Sequence, residues 1–266
     1  MPSVFIPQPD GTFLPTEISR SAWGDALVHG GPPAGLLAYA ISRDFDAPGW
    51  RVARLTVDLF RQVPVQPLRV VTRSVREGRR IHAVEASLFA GETEVTRATA
   101  ILLKESDPPI ALPALFSDGG EEIPPPERLT IAPLAGAERT RFVGYHTTVE
   151  VAWTSGSTET RTGARAAWMH FPHPLIQGED TSPLTHLASL SDFGNALGGF
   201  ETENGWGFIN VDITMYLNRM PVGSWFHLSS VARPAPTGHG VITTALHDQH
   251  GYLGQVVQAT LANPRT

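Results

Sequence analysis

The sequence predicts an α+β chain of two similar halves, each a short buried helix followed by an antiparallel meander. Three observations carry this. A Pro- and Gly-rich seam divides the chain near its middle, four strand-like runs lie on either side, and one Gly-, Ala- and Leu-rich helix precedes each set.

The first helix follows His29-Gly30-Gly31-Pro32-Pro33 and runs through AGLLAYAIS. Prolines suit a first turn, where the missing N–H has no intrahelical partner. Four strands follow in VARLTVDLFRQVPV, PLRVVTRSVREG, RRIHAVEASLFAG and ETEVTRATAILLK. Val84, Ala86 and Leu88 alternate with Ala83, Glu85 and Ser87, β-branched residues are frequent, and Gly78 and Gly91 mark turns. The seam, ESDPPIALPALFSDGGEEIPPPERLTIAPLAGAE, has no sustained period, and its Pro124-Pro125-Pro126 run excludes a helix or central strand. It reads as a connector over residues 107–138 between an N-terminal repeat, 1–106, and a C-terminal repeat, 139–266.

The second helix begins at Ser182-Pro183, a cap followed by a proline, and stops at Gly198-Gly199. Its strands are FINVDITMYLNRMPV, SWFHLSSVARP, HGVITTALHDQHG and YLGQVVQATLAN. Asp58 to Val65, DLFRQVPV, lines up with Met215 to Val222, MYLNRMPV; the turn at Gly78 matches Pro236-Thr237-Gly238, and His82 matches His239. A repeat of about half the chain indicates duplication, not a solenoid. Helices apolar nearly all round are buried ones.

Composition narrows the function. A net charge of −6 argues against a nucleic-acid binder. The absence of cysteine excludes a thiol nucleophile, a disulfide framework and Cys-ligated metal. MPSVFIPQPDGTFLP lacks the basic and apolar regions of a secretory signal, and no apolar run reaches membrane-spanning length, so a cytoplasmic protein is the expectation.

HGGPPAGLLAYA, LASLSDFGNALGG, FINVDITMYLNRMPVGSWF and DQHGYLGQVVQATL, in that order, make nearly the whole chain outside the seam resemble the tandem-hotdog acyl-CoA thioesterases of the bacterial thioesterase II (TesB-like) type. The resemblance implies a double hotdog: one continuous sheet wrapped around two central helices. It implies hydrolysis of a fatty acyl-CoA, of medium to long chain, with CoA present only as part of the substrate and no cofactor or metal. A homodimer of such chains is a further expectation. In that family a catalytic Asp sits in the second helix, a Ser or Thr in the next strand and a Gln on the last. The matching residues are Asp192, Asn210 and Gln258, and Asn210 departs from the hydroxyl pattern.

The repeat singles out the same positions, because Asn210 lines up with Ala53 and Gln258 with roughly Ala100. A carboxylate on a buried helix is costly unless paired or used, so Asp192 is either catalytic or structural. As a general base it would take a proton from a water held by Asn210 and Gln258, Asn210 orienting and not attacking. His29, Gly30 and Gly31, at the start of the first helix, would bind the substrate and offer N–H groups to the oxyanion, or would form only a tight turn.

Two alternatives stay open. A hotdog hydratase or dehydratase of 3-hydroxyacyl thioesters needs a His paired with a carboxylate, and His29 has no evident partner in sequence. A non-catalytic acyl-thioester-binding protein would explain Asn210. Other signals are weaker. His170 and His173, like His247 and His250, lack further ligands for zinc. Arg73, Arg76, Arg79 and Arg80 could meet CoA phosphates or simply decorate a hairpin. GGPPAG lacks the Gly-Lys-Ser/Thr of a phosphate loop, and no G-x-S-x-G elbow is present. Trp153, Trp168 and Trp225 read as core.

Overall fold

A computed structural model describes residues 2–45, 47–106, 109, 123–132, 134, 142–157, 163–199 and 206–264. The first half holds β1 (Phe5–Pro7), β2 (Phe13–Pro15), β3 (Arg20–Ser21), β4 (Gly24–Val28), α1 (Gly31–Phe45), β5 (Trp50–Asp58), β6 (Leu68–Glu77), β7 (Ile81–Ala90) and β8 (Thr93–Lys104). The second holds β9 (Ile131–Ala132), α2 (Tyr145–Thr148), β10 (Glu150–Ser155), β11 (Arg165–His170), α3 (Pro183–Leu190), α4 (Gly194–Gly198), β12 (Trp206–Asn210), β13 (Asp212–Leu217), β14 (Phe226–Pro234), β15 (His239–Asp248) and β16 (Gly251–Pro264).

Among the described residues one sheet runs β1-β2-β6-β7-β8-β5-β13-β16-β15-β14-β11-β10-β9, with β12 also paired on β16. The halves join where β5 meets β13 antiparallel, Thr56 directly across from Thr214. The two meanders thus form the single continuous sheet that the resemblance to tandem hotdogs implies. Their inner faces hold Val84, Ala86, Leu88 and Ala98 in the first half and Phe226, Leu228, Leu246 and Val256 in the second, all buried.

These faces close on the helices. α1 buries Leu36, Leu37 and Ile41, and α3 buries Leu187 and Leu190. Each such side chain contributes about 1.5–3 kcal/mol of apolar transfer. α1 and α3 pack directly together because α1 carries glycines one turn apart. A Cβ at Gly31 would collide with the Ser189 carbonyl, and one at Gly35 would lie 2.8 Å from the Ser189 Cβ.

Ser182 caps α3 by accepting the Thr185 N–H, with Pro183 in the first turn. The helix does not continue smoothly. A 3₁₀ turn, Ser191–Phe193, intervenes before α4, so the expected second helix is two short helices with Asp192 in the break. Most of the expected connector lies outside the described residues. Of its described part, Pro126–Arg128 form one 3₁₀ turn, Ile131–Ala132 pair on β10, and the Pro124 carbonyl accepts the Trp168 indole N–H at 2.7 Å.

Candidate active site

The break after α3 points the Asp192 side chain at the first residues of α1. Its Oδ2 lies 3.0 Å from His29 Nδ1, and its Oδ1 accepts from Asn210 Nδ2 at 2.7 Å. The Gly31 backbone N–H also bonds this carboxylate. Asp192 therefore caps α1 from the other half of the chain, where the positive end of the helix dipole favours an anion. His29 Nδ1 lies 3.2 Å from the Gly31 nitrogen as well, but one ring nitrogen cannot accept there while donating to Asp192. The carboxylate is the stronger acceptor and takes both protons, which puts the His29 proton on Nδ1 and leaves Nε2 unprotonated in the neutral ring.

Asn210 is held in register. Its Oδ1 lies 3.4 Å from Asn195 Nδ2, which also donates to the Phe208 carbonyl at 3.0 Å, so the Asn210 amide turns its NH₂ toward Asp192. Burial pushes the Asp192 carboxyl up, but the neighbouring His29 and the hydrogen bonds from His29, Asn210 and Gly31 outweigh it, and the net shift is downward. The group is an anion at neutral pH. A carboxylate offers about four lone-pair sites, and three donors leave one for a water.

Gly30 is required by this approach. A Cβ there would sit 2.7 Å from Asp192 Oδ2 and 3.0 Å from its Cγ. With the Gly31 N–H committed to Asp192, the Gly30 N–H is the glycine amide with no protein acceptor among the described residues.

Gln258 faces the same interior from β16, two residues from Thr260, which pairs with Asn210. It is fully buried, and neither its Oε1 nor its Nε2 has a hydrogen-bond partner among the described residues. The carboxamide presses on α4 beside the Asp192 turn, since a Cβ on Gly194 would lie 2.5 Å from Gln258 Oε1. An orphaned buried amide costs about 1–3 kcal/mol, which argues for a use.

Two family models match in tandem, the acyl-CoA thioesterase N-terminal domain over residues 19–103 and the acyl-CoA thioesterase C-terminal domain over residues 124–262. The chain belongs to the acyl-CoA thioesterase family. It is a thioester hydrolase. Solved structures agree on the fold. A candidate thioesterase II from Thermobifida fusca YX is 16% identical with a TM-score of 0.72, covering 97% of this chain and 95% of that one. A hot dog protein from Alicyclobacillus acidocaldarius is 18% identical at 0.67, covering 92% and 90%. The acyl-CoA thioesterase II TesB2 of Mycobacterium marinum is 17% identical at 0.62, covering 89% and 90%. Comparison with curated proteins gives no match.

Several features of the thioesterase were not visible in its sequence. The partner that His29 lacked is Asp192, from the opposite half. His29 is also flanked by the rings of Phe193 and Tyr145, at centroid distances of 5.0 and 5.3 Å, and Tyr145 donates to Ser189 of α3 at 2.8 Å. Arg165, buried on β11, donates to the carbonyls of Ala196 at 2.6 Å, Leu197 at 2.5 Å and Gly199 at 3.2 Å, fixing the C-terminal end of α4. Its residue type in a strand gave no sign of this.

The weaker signals resolve plainly. Arg73 bonds Glu85 across the β6–β7 hairpin, and Arg76, Arg79 and Arg80 are exposed on it. His170 bonds the Ser224 carbonyl and stacks on Trp225. No group of three His, Asp or Glu that could hold a metal exists among the described residues. No described helix is long and apolar enough to cross a membrane. Trp153 is half-buried against the core and Trp168 is buried. Trp225 is a correction: it is not core but lines an open cavity, because it lies in the loop before β14.

Proposed function

We propose that the enzyme hydrolyses medium- to long-chain acyl-CoA through a water activated by Asp192. The observation that carries this is a buried, ionised carboxylate with one acceptor site to spare and, against the glycine that follows its turn, a buried amide, Gln258, with no partner among the described residues. A water bridging the two would donate to Asp192 and accept from Gln258 Nε2. As its oxygen attacks the thioester carbon, its proton passes to Asp192 while Asn210 keeps the carboxylate aimed. The Gly30 N–H, at the start of α1, donates to the developing oxyanion. Collapse expels the CoA thiolate, which takes the proton from Asp192, leaving free acid, CoA and the original carboxylate. Thiolates leave readily near neutral pH, so no second acid is needed.

One observation favours a second reaction at the same centre. His29 and Asp192, 3.0 Å apart, form the His–carboxylate pair that hydration of an enoyl thioester would use. The test is a ladder of saturated acyl-CoAs and 2-enoyl-CoAs, scored separately for thiol release and for loss of enoyl absorbance. Thiol release with an optimum at medium to long chains supports hydrolysis by this centre. Loss of enoyl absorbance without thiol release would replace it with hydration.

A further inference from the structure

On the outer face of the sheet, away from Asp192, lies a cavity of about 490 Å³, within the size range of small-ligand sites. Side chains alternate along a strand, so faces can be assigned. On β11 and β14, Arg165 and Ser230 face α4. Trp168 and His227, each three residues away and directly paired, therefore face outward. His227 pairs with His247, and His247 with Tyr252, so an aromatic row crosses four strands on that face.

Three aromatic rings, Trp168, Trp225 and Tyr252, form walls of the cavity. Each is anchored. The Trp168 indole is tied to Pro124 of the segment that closes one side. Trp225 is stacked on His170 at 5.2 Å, and Tyr252 packs edge-on against His247 at 5.5 Å. The turn that completes the rim is held by Asp248, which takes two bonds from Arg219 and one each from the Val222 and His250 N–H groups.

The charge of the lining decides its ligand. Among the described residues it contains Glu127 and Asp248 and no lysine or arginine. Asp248 is neutralised by Arg219, whereas the Glu127 residue is exposed at the mouth. A polyanion such as CoA is repelled. Aromatic faces beside a carboxylate attract cations that shed water easily, which describes quaternary ammonium. We propose that this cavity is a second site, separate from the catalytic centre, for a small quaternary-ammonium compound. Trp168, Trp225 and Tyr252 supply the cage and Glu127 the counter-charge.

The test uses the full chain and two probes of one shape, choline and its neutral carbon isostere 3,3-dimethyl-1-butanol, followed by calorimetry and tryptophan fluorescence. Choline saturates the protein, and the isostere binds at least about tenfold more weakly. Glu127→Gln, on the surface, and Trp225→Ala each weaken choline by about tenfold, whereas Trp225→Phe, which keeps a ring, retains most binding. Asp192→Asn binds choline like wild type, and acyl-CoA does not displace it. Equal binding of the isostere, or no saturation by choline below about 100 mM, a free energy too small for a built site, overturns the proposal. Displacement by acyl-CoA overturns the claim of a separate site.

Discussion

Replacing Gln258 by Met separates a functional residue from a structural one. The carboxamide is fully buried and has no protein partner among the described residues; the water it holds satisfies Nε2 alone, so the unpaired Oε1 destabilises the folded enzyme by about 1–3 kcal/mol relative to a satisfied group. Met keeps the unbranched stem and discards the polar atoms. Some of the gain is lost to the larger sulfur and methyl pressing on α4, where Gly194 already leaves no room for a Cβ. The net expectation is about 1 kcal/mol of added stability, or about 2–4 °C in Tm for a chain near this length. Activity moves the other way, by about 10²-fold, because the attacking water loses one of its two holders. Thermal melts by circular dichroism and thiol release on the same preparation read both quantities. A variant destabilised by 2 kcal/mol or more, roughly the loss of a satisfied buried hydrogen-bonding group, would show that Gln258 is a paired structural residue.

Three other outcomes follow from the same geometry. Gly30→Ala forces a Cβ to within 2.7 Å of Asp192 Oδ2, so the carboxylate must move; kcat falls by about 10²-fold while the melt shows a loss of about 1–3 kcal/mol. His29→Asn removes a neighbour that holds the Asp192 carboxyl below 3.8, so the acid limb of kcat/KM moves to higher pH. In the wild type that depressed carboxyl contributes stability that is fully present above the ordinary carboxylate range and is lost as pH falls through the native value, so acid denaturation of His29→Asn begins at higher pH. Arg165→Met leaves the carbonyls of Ala196, Leu197 and Gly199 without their donor and costs about 3 kcal/mol in urea unfolding, whereas a surface change such as Arg79→Met stays within about 0.5 kcal/mol.

Local chemistry was legible in the sequence and distant contact was not. Ser182-Pro183 and Gly198-Gly199 mark the ends of the α3–α4 segment because capping and termination depend on neighbouring residues. The strands of the two meanders follow from alternation, although the run expected as one strand from Phe208 breaks at Val211 into β12 and β13, and the joined sheet seen at β5 and β13 is what the resemblance to tandem hotdogs implies. The short β1 to β4 carry too few residues for a period to show. The pairing of His29 with Asp192 depends on how the halves close, which no spacing within either half encodes. The same holds for Trp225, whose apolar strand-like surroundings suggested burial although it ends up beside a cavity. Asn210 was legible as a departure from the family pattern, but its role needed Asn195, which fixes the direction of its amide.

The most direct test of Asp192 as the water-activating base is the rate of thiol release from the best acyl-CoA substrate by Asp192→Asn. Asn keeps the shape and can still accept from Gly31 at the start of α1, but it cannot take a proton from water. An Asp192 general base predicts a folded variant with unchanged substrate binding and kcat reduced by about 10²–10⁴-fold. A folded Asp192→Asn enzyme with kcat near wild type would contradict it and leave Asp192 as a helix cap alone.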